Sequence, residues 1–173
     1  IAAARAALPS LVGRDPSSLG ETEIARAAVE SVAENTTDAI VAPALWGLVG
    51  GPSGAYAYRA INTLDAMVGH HSERYEHFGW ASARLDDAAN LLPARATVAL
   101  VCLARPRDAA RILSVVRRDG RSHPSPNAGL AEAAFAAALD VRLGGTNRYP
   151  YGEEVRPELG DGQRGGAFDQ GDT

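Results

Sequence analysis

Apolar and polar positions along most of the chain recur at helical rather than strand spacing. ETEIARAAVESVAENTTD, from Glu21 to Asp38, sets Ile24, Val29 and Val32 on one face and Glu21 and Glu23 in the first turn. Acids suit a helix N-terminus, so a helix is predicted from near Ser18 or Glu21. A run without a charge follows, AIVAPALWGLVGGPSGAYAY, from Ala39 to Tyr58. Its length is about that of a bilayer-spanning helix, although Pro43, Gly50, Gly51, Pro52 and Gly54 predict a break or kink. The same residues also fit two buried helices of a soluble protein joined by a Gly-Pro turn.

A charged segment leads into LLPARATVALVCLA, a second apolar stretch interrupted by Pro93 and Arg95. Pro106 predicts the start of a helix through RPRDAARILSVVRR that Asp119-Gly120 ends. Ile112, Leu113, Val115 and Val116 beside Arg107, Arg111, Arg117 and Arg118 make it basic and amphipathic, as suits the cytoplasmic face of a membrane or an ordinary surface helix. HPSPNAG reads as a loop and GLAEAAFAAALDVRLGG as an Ala-rich helix closed by Gly144 and Gly145. No segment shows clean strand alternation, and disorder is expected beyond about Gly160. The residues therefore predict an all-α, multi-helix fold with polar connecting loops, and by themselves leave open whether it is an integral membrane protein fragment.

Composition narrows the chemistry. The 173 residues carry a net charge of -4, which argues against nucleic-acid binding. Every cation apart from histidine is Arg; without Lys there is neither a Walker-type phosphate loop nor Schiff-base chemistry. The single Cys102 excludes a disulfide framework and a cysteine zinc site. A mean hydropathy of -0.14 conceals the uneven distribution of apolar runs. The chain opens on Ile1 and reads as part of a longer protein.

Several polar groups recur at helical spacing. Glu30, Glu34 and Asp38, with Asn35 beside them, form an acidic stripe running into the apolar segment, where a merely solvated stripe is less expected. In RAINTLDAM, Arg59, Asn62 and Asp65 point roughly together, Arg59 suited to phosphate and Asp65 to a cation. ARLDDAAN brings Arg84, Asp86, Asp87 and Asn90 within two turns, an oxygen-rich patch suited to magnesium carrying nucleotide phosphates. Simple helix-end dipole preferences explain such acidic pairs equally well. The spacing of His70, His71 and His77 fits no standard zinc motif, and no acid adjoins His123, Ser125 and Asn127 in sequence, which points to substrate binding or helix capping by Ser125 and Asn127.

Taken in order, ESVAENTTDAIVAPALWGLVGG, YRAINTLDAMVG, FGWASARLDDAANLLPARAT, HPSPNAG and LGGTNRY strongly resemble the adenosylcobinamide-phosphate synthases, the CobD/CbiB family, over about Glu21 to Gly162. The resemblance implies a multi-pass protein of the bacterial inner membrane and favours a membrane location for the Ala39–Tyr58 run. It implies ATP-dependent amide ligation of aminopropanol, or its phosphate, to adenosylcobyric acid, with other corrinoid-pathway enzymes as partners. A free carboxylate must be activated for this, and a phosphorylated acyl intermediate is the natural route. Carried over by motif, Glu30, Glu34, Asp38 and Asp65 become candidate catalytic groups. Arg59, Asn62, Arg84, Asn90, Arg95, Ser125 and Asn127 become candidate binding groups, Asp86 and Asp87 candidate magnesium ligands, and Asn147 a further polar position. Residues 1–160 are then the central and C-terminal part of one helical membrane enzyme domain, and 161–173 a disordered tail. A non-catalytic membrane accessory or sensor protein is the alternative; a soluble helical metal-dependent hydrolase is a third.

Overall fold

The computed structural model describes residues 19–69, 76–149 and 152–164. Five helices come first: α1 (Glu21–Asn35), which continues through a π-helical turn (Thr36–Val41), α2 (Ala42–Val68), α3 (Glu76–Ala104), α4 (Ala109–Asp119) and α5 (Ala128–Leu139). Three strands follow, β1 (Val141–Tyr149), β2 (Gly152–Leu159) and β3 (Gln163–Arg164). The N-terminus of α1 is closed by Glu23, whose carboxylate accepts from the Gly20 N–H at 2.9 Å.

The uncharged run is neither a single span nor one continuous helix. Gly51 has φ 61° and ψ -157°, a conformation only glycine adopts without strain. Beyond it the chain turns back on itself. Gly54 lies against the Trp46 carbonyl so closely that any side chain there would collide with it, and a Cβ at Gly47 would meet that of Ala55 at 3.6 Å. Residues eight apart on a straight helix are about 12 Å apart, so α2 is a helical hairpin with arms 42–50 and 52–68. Its base is packed, with Ala42, Tyr58 and Ala89 in one buried cluster and Trp46 and Ile61 against it. Its tip is bare and apolar: Leu48 is 89% and Val49 73% exposed.

Pro93 lies inside α3, and its missing N–H would leave the carbonyl four residues back without a helical donor. That carbonyl belongs to Ala89, and the Trp46 indole N–H donates to it at 3.0 Å. Thr37 on the π turn donates to the Thr97 hydroxyl at 3.0 Å, and Thr97 donates to the Pro93 carbonyl. These bonds tie the π turn and the hairpin to the proline region of α3.

The main core joins α3, α4 and α5 through Val98, Ile112, Val115, Val116, Ala133 and Ala137. α5 is nearly all alanine and glycine on its buried positions, which lets its neighbours approach closely. It ends at Asp140, in the left-handed conformation (φ 56°), not at Gly144 and Gly145. The expected all-α chain therefore gives way to a three-stranded sheet of order β2-β1-β3. β1 pairs antiparallel with β2, Gly145 opposite Arg156, with a bulge at Gly144, and parallel with β3. Residues Gln163 and Arg164, within the expected tail, thus pair with β1; 165–173 lie outside the described residues. α4 begins at Ala109, since Pro106–Asp108 form a turn before it.

Long-range polar contacts account for strands where alternation is missing. Buried Glu30 on α1 accepts from the Gly144 N–H at 2.9 Å, while Arg26 donates to the Gly144 carbonyl and, at 3.3 Å, to that of Thr146. α1 thus holds the bulge from outside the sheet.

Candidate functional site

Three parts of the chain meet at the base of the hairpin. The π turn presents Asp38, the second arm of α2 presents Tyr58 and Asn62 one turn apart, and the first half of α3 presents Asp86 and Asn90 one turn apart. The Tyr58 hydroxyl, on a residue only 2% exposed, lies 3.0 Å from Asn90 Oδ1 and 3.4 Å from Asp38 Oδ1. The Asn62 amide donates to Asp38 Oδ2 and to Asp86 Oδ1, 3.4 Å each, and Asn90 donates to Asp86 Oδ2 at 2.9 Å. A side-chain N–H₂ therefore stands between two carboxylates. π turns inserted into helices are frequent at functional sites, and here the wider turn is what delivers Asp38.

The acids crowd one another. Loss of water, then the charges of Asp86 and Glu34, push the Asp38 carboxyl up to about 6, against bonds from Asn62 and Tyr58 that favour its charged form. Glu34 stands at the exposed edge of the cluster, yet loss of water around its carboxyl also raises its pKa, with Arg156 opposing and Glu30 and Asp86 adding to the rise.

Of the residues singled out from sequence, Glu34, Asp38, Asn62, Asp86 and Asn90 come together. Arg59 is at the rim, donating to Asn62 at 3.3 Å. Asp65 lies almost a turn beyond Asn62 with its carboxyl against Gly69. Glu30 turns to Gly144 and the sheet. Asp87 diverges from Asp86: its carboxylate lies 3.8 Å from Arg84, and its carbonyl accepts from Asn127 at 2.8 Å. Arg84 also lies over the Trp80 ring, 5.9 Å from its centre. Arg95 is nine residues along α3 from Asp86, about 13.5 Å, and donates to the Leu91 carbonyl. The Ser125 hydroxyl accepts from the N–H groups of Asn127 and Ala128, a helix cap for α5. An acid absent from the sequence neighbourhood of His123 is supplied by α5, with Glu132 Oε1 3.9 Å from His123 Nε2. His70 and His71 lie outside the described residues, as does the side chain of Asn147.

Sequence position offers Tyr58 only as an aromatic to pack on a corrinoid or to anchor at a membrane interface, not as a partner of these acids, and does not offer Arg156 at all. Tyr58 stands four residues before Asn62, so helical spacing alone could have found it. Arg156 reaches Glu34 only because β2 pairs with β1, and no local pattern signals that.

The two carboxylates suit a hard cation such as magnesium, while both amides turn N–H groups to them and their oxygens to Arg59 and Tyr58. Among the described residues, no three His, Cys, Asp or Glu side chains gather tightly enough to cage a metal ion alone. Magnesium needs no such cage, since it keeps several waters and takes one or two carboxylates beside substrate phosphates; Asp38 and Asp86 fit that pattern, whereas Asp86 with Asp87 does not. Of the arginines singled out from sequence, Arg59 reaches the rim through Asn62, while Arg84 turns to Asp87 and Arg95 to the Leu91 carbonyl.

The profile of the family described as CobD/Cbib protein matches residues 1–170. Among curated proteins, the cobalamin biosynthesis protein CobD of Mycobacterium tuberculosis H37Rv is 56% identical over 169 residues, covering 94% of this chain and 53% of that protein. The protein of the same name from Rhodobacter capsulatus is 58% identical over 146 residues (84% and 46%), and that from Geobacter metallireducens 55% over 165 residues (91% and 51%). The chain spans about half the length of these relatives. No solved structure matches. With nearly the whole chain matched and the five sequence blocks in order, it belongs to the CobD/CbiB family of cobalamin biosynthesis proteins.

Proposed function

We propose that the full-length protein is a membrane-bound adenosylcobinamide-phosphate synthase, joining aminopropanol or its phosphate to the carboxylate of adenosylcobyric acid at the expense of ATP. The observation that carries this reading is the convergence of Asp38, Asn62, Asp86 and Asn90, drawn from three of the five sequence blocks, on one hydrogen-bonded cluster. Relatives named cobalamin biosynthesis protein CobD set the pathway. A membrane location is supported by Gly79–Ala104, long and apolar enough to cross a bilayer, and by the bare apolar tip of the hairpin.

Asp38 and Asp86 are the residues to hold magnesium, which supplies neutralisation of phosphate charge when bound. Asn62 and Asn90 orient the two carboxylates, and Tyr58 fixes Asp38 from behind. Glu34 is the group placed to take a proton from the incoming ammonium: it borders the cluster, faces solvent and holds its proton more firmly than an ordinary carboxylate.

Membranes containing the full-length protein, given adenosylcobyric acid, aminopropanol phosphate and magnesium ATP, should yield amide product detectable by mass. Asp38→Asn and Asp86→Asn should each lower the rate by about 10²-fold or more, in line with loss of a positioned charged group. No product from well-folded parent protein would replace this reading with that of an accessory or sensor protein.

A further inference from the structure

A pocket lies beside the bulge of β1, apart from the acid cluster. The first turns of α1, the bulged stretch of β1 and the facing part of β2 enclose about 380 Å³, at the small end of the range of ligand sites. Its centre is a missing side chain. Gly145, with φ 86°, lies opposite Arg156 in the β1–β2 register, and opposite residues share a face of the sheet. A Cβ placed on Gly145 would stand 3.1 Å from Arg26 Nη1 and 3.9 Å from Glu158 Oε1. Glu158 in turn lies 3.4 Å from Arg142. Cations from α1, β1 and β2 are thus gathered round one bare glycine.

The lining sets three arginines against two acids, and one of the acids, Glu23, is engaged with the Gly20 N–H in the cap of α1. Arg26 is held in place by the carbonyls of Gly144 and Thr146 and by Glu30 at 4.0 Å. Guanidinium groups match a phosphate with paired N–H donors, and a half-exposed pair such as Arg142–Glu158 is weak enough to open for one. Position ties this pocket to the acid cluster. Arg26 precedes Glu34 by eight residues, about 12 Å along α1, and Arg156 both lines the pocket and opposes the raised pKa of Glu34. A phosphate on Arg156 leaves a short amine-bearing tail between the pocket and Glu34, the group assigned to take a proton from the ammonium.

We infer that this pocket seats the phosphate of a short phosphorylated amino alcohol on Arg26 and Arg156, with Arg142 at its side. The site rests on the ligase reading above and adds to it the place where the amine substrate is held. Nucleotide phosphate is the rival source of the same chemistry, and the test separates the two.

Binding rather than turnover is the measurement, because Arg156→Gln also removes a charge that acts on Glu34. Calorimetric titration of the full-length protein in neutral detergent, without magnesium, compares aminopropanol phosphate, free aminopropanol and ATP. The parent should bind the phosphorylated amine at least about tenfold more tightly than the free one, and ATP should not displace it. Arg142→Gln and Arg156→Gln should each weaken the phosphorylated amine about tenfold and leave the free amine unchanged, while melting at the parent's temperature. Arg118→Gln, which alters an arginine paired with Asp119 and Asp161, should bind as the parent does. Equal affinity of the parent for the two amines, discrimination kept in both pocket variants, or displacement by ATP would overturn the site. If the site falls in any of these ways while membranes of the parent still make amide product, the ligase reading stands; selective binding by a parent that makes no product removes that reading and leaves the pocket.

Discussion

Asp38 shows what a single residue contributes. Its carboxyl, ordinarily near 3.8, is raised to about 6 by loss of water and by Asp86 and Glu34. A raised acid binds its proton more firmly folded than unfolded, so between these values the native state holds more protons and stability falls as pH rises. The window of about 4 to 6 should see a decline on the order of 2 kcal/mol, measured by urea unfolding in detergent; Asp38→Asn should flatten that slope. Removing a neighbouring charge should act in the same sense: Asp86→Asn should move the Asp38 infrared carboxylate transition to lower pH, and an unmoved transition would place Asp86 outside its electrostatic reach. Trp46 offers a second residue-level test. Trp46→Phe should destabilise by about 1–3 kcal/mol, because the Ala89 carbonyl is left without its donor. In a Pro93→Ala background, where a backbone N–H is restored to that carbonyl, the loss should shrink.

At the scale of elements, the hairpin depends on two glycines. Gly51→Ala should lower stability by about 1–3 kcal/mol through its positive φ, and Gly54→Leu by more than Gly51→Ala, because a side chain there meets the Trp46 carbonyl; thermal midpoints of the detergent-solubilised protein would rank them. α1, α4 and α5 were legible in the sequence because each carries its own signal: acids in the first turn of α1, Asp119-Gly120 after α4, alanines through α5. The reversal in α2 was legible as a break or a Gly-Pro turn between two helices but not in its angle, because Gly51 and Pro52 announce a discontinuity while the packing of Tyr58 on Ala42 sets how far the arms close. The sheet was not legible. LGGTNRY lacks alternation, and β1 is held by Glu30, 114 residues earlier, so no local window contains its cause. In the site, Glu34, Asp38, Asn62, Asp86 and Asn90 could be picked out by residue type and spacing, but the turning of Glu30 to the sheet and of Asp87 to Arg84 depends on neighbours from other elements.

For the whole molecule, the helical part and the sheet are joined by α1, whose acidic face serves both. Glu30 faces the bulge and Glu34 the cluster, with Arg156 of β2 near enough to Glu34 to oppose its raised pKa. The fold-back of α2 has a further consequence for how the full-length chain is threaded. On the proposed membrane location, a segment that enters an apolar layer and returns contributes no crossing to the count, so Thr36 before it and Met67 after it are expected in the same compartment. Fusions of a compartment-sensitive reporter after each of these residues should give the same answer, whereas a single crossing by 39–58 would give opposite ones; the parity of every later segment follows from which result is obtained.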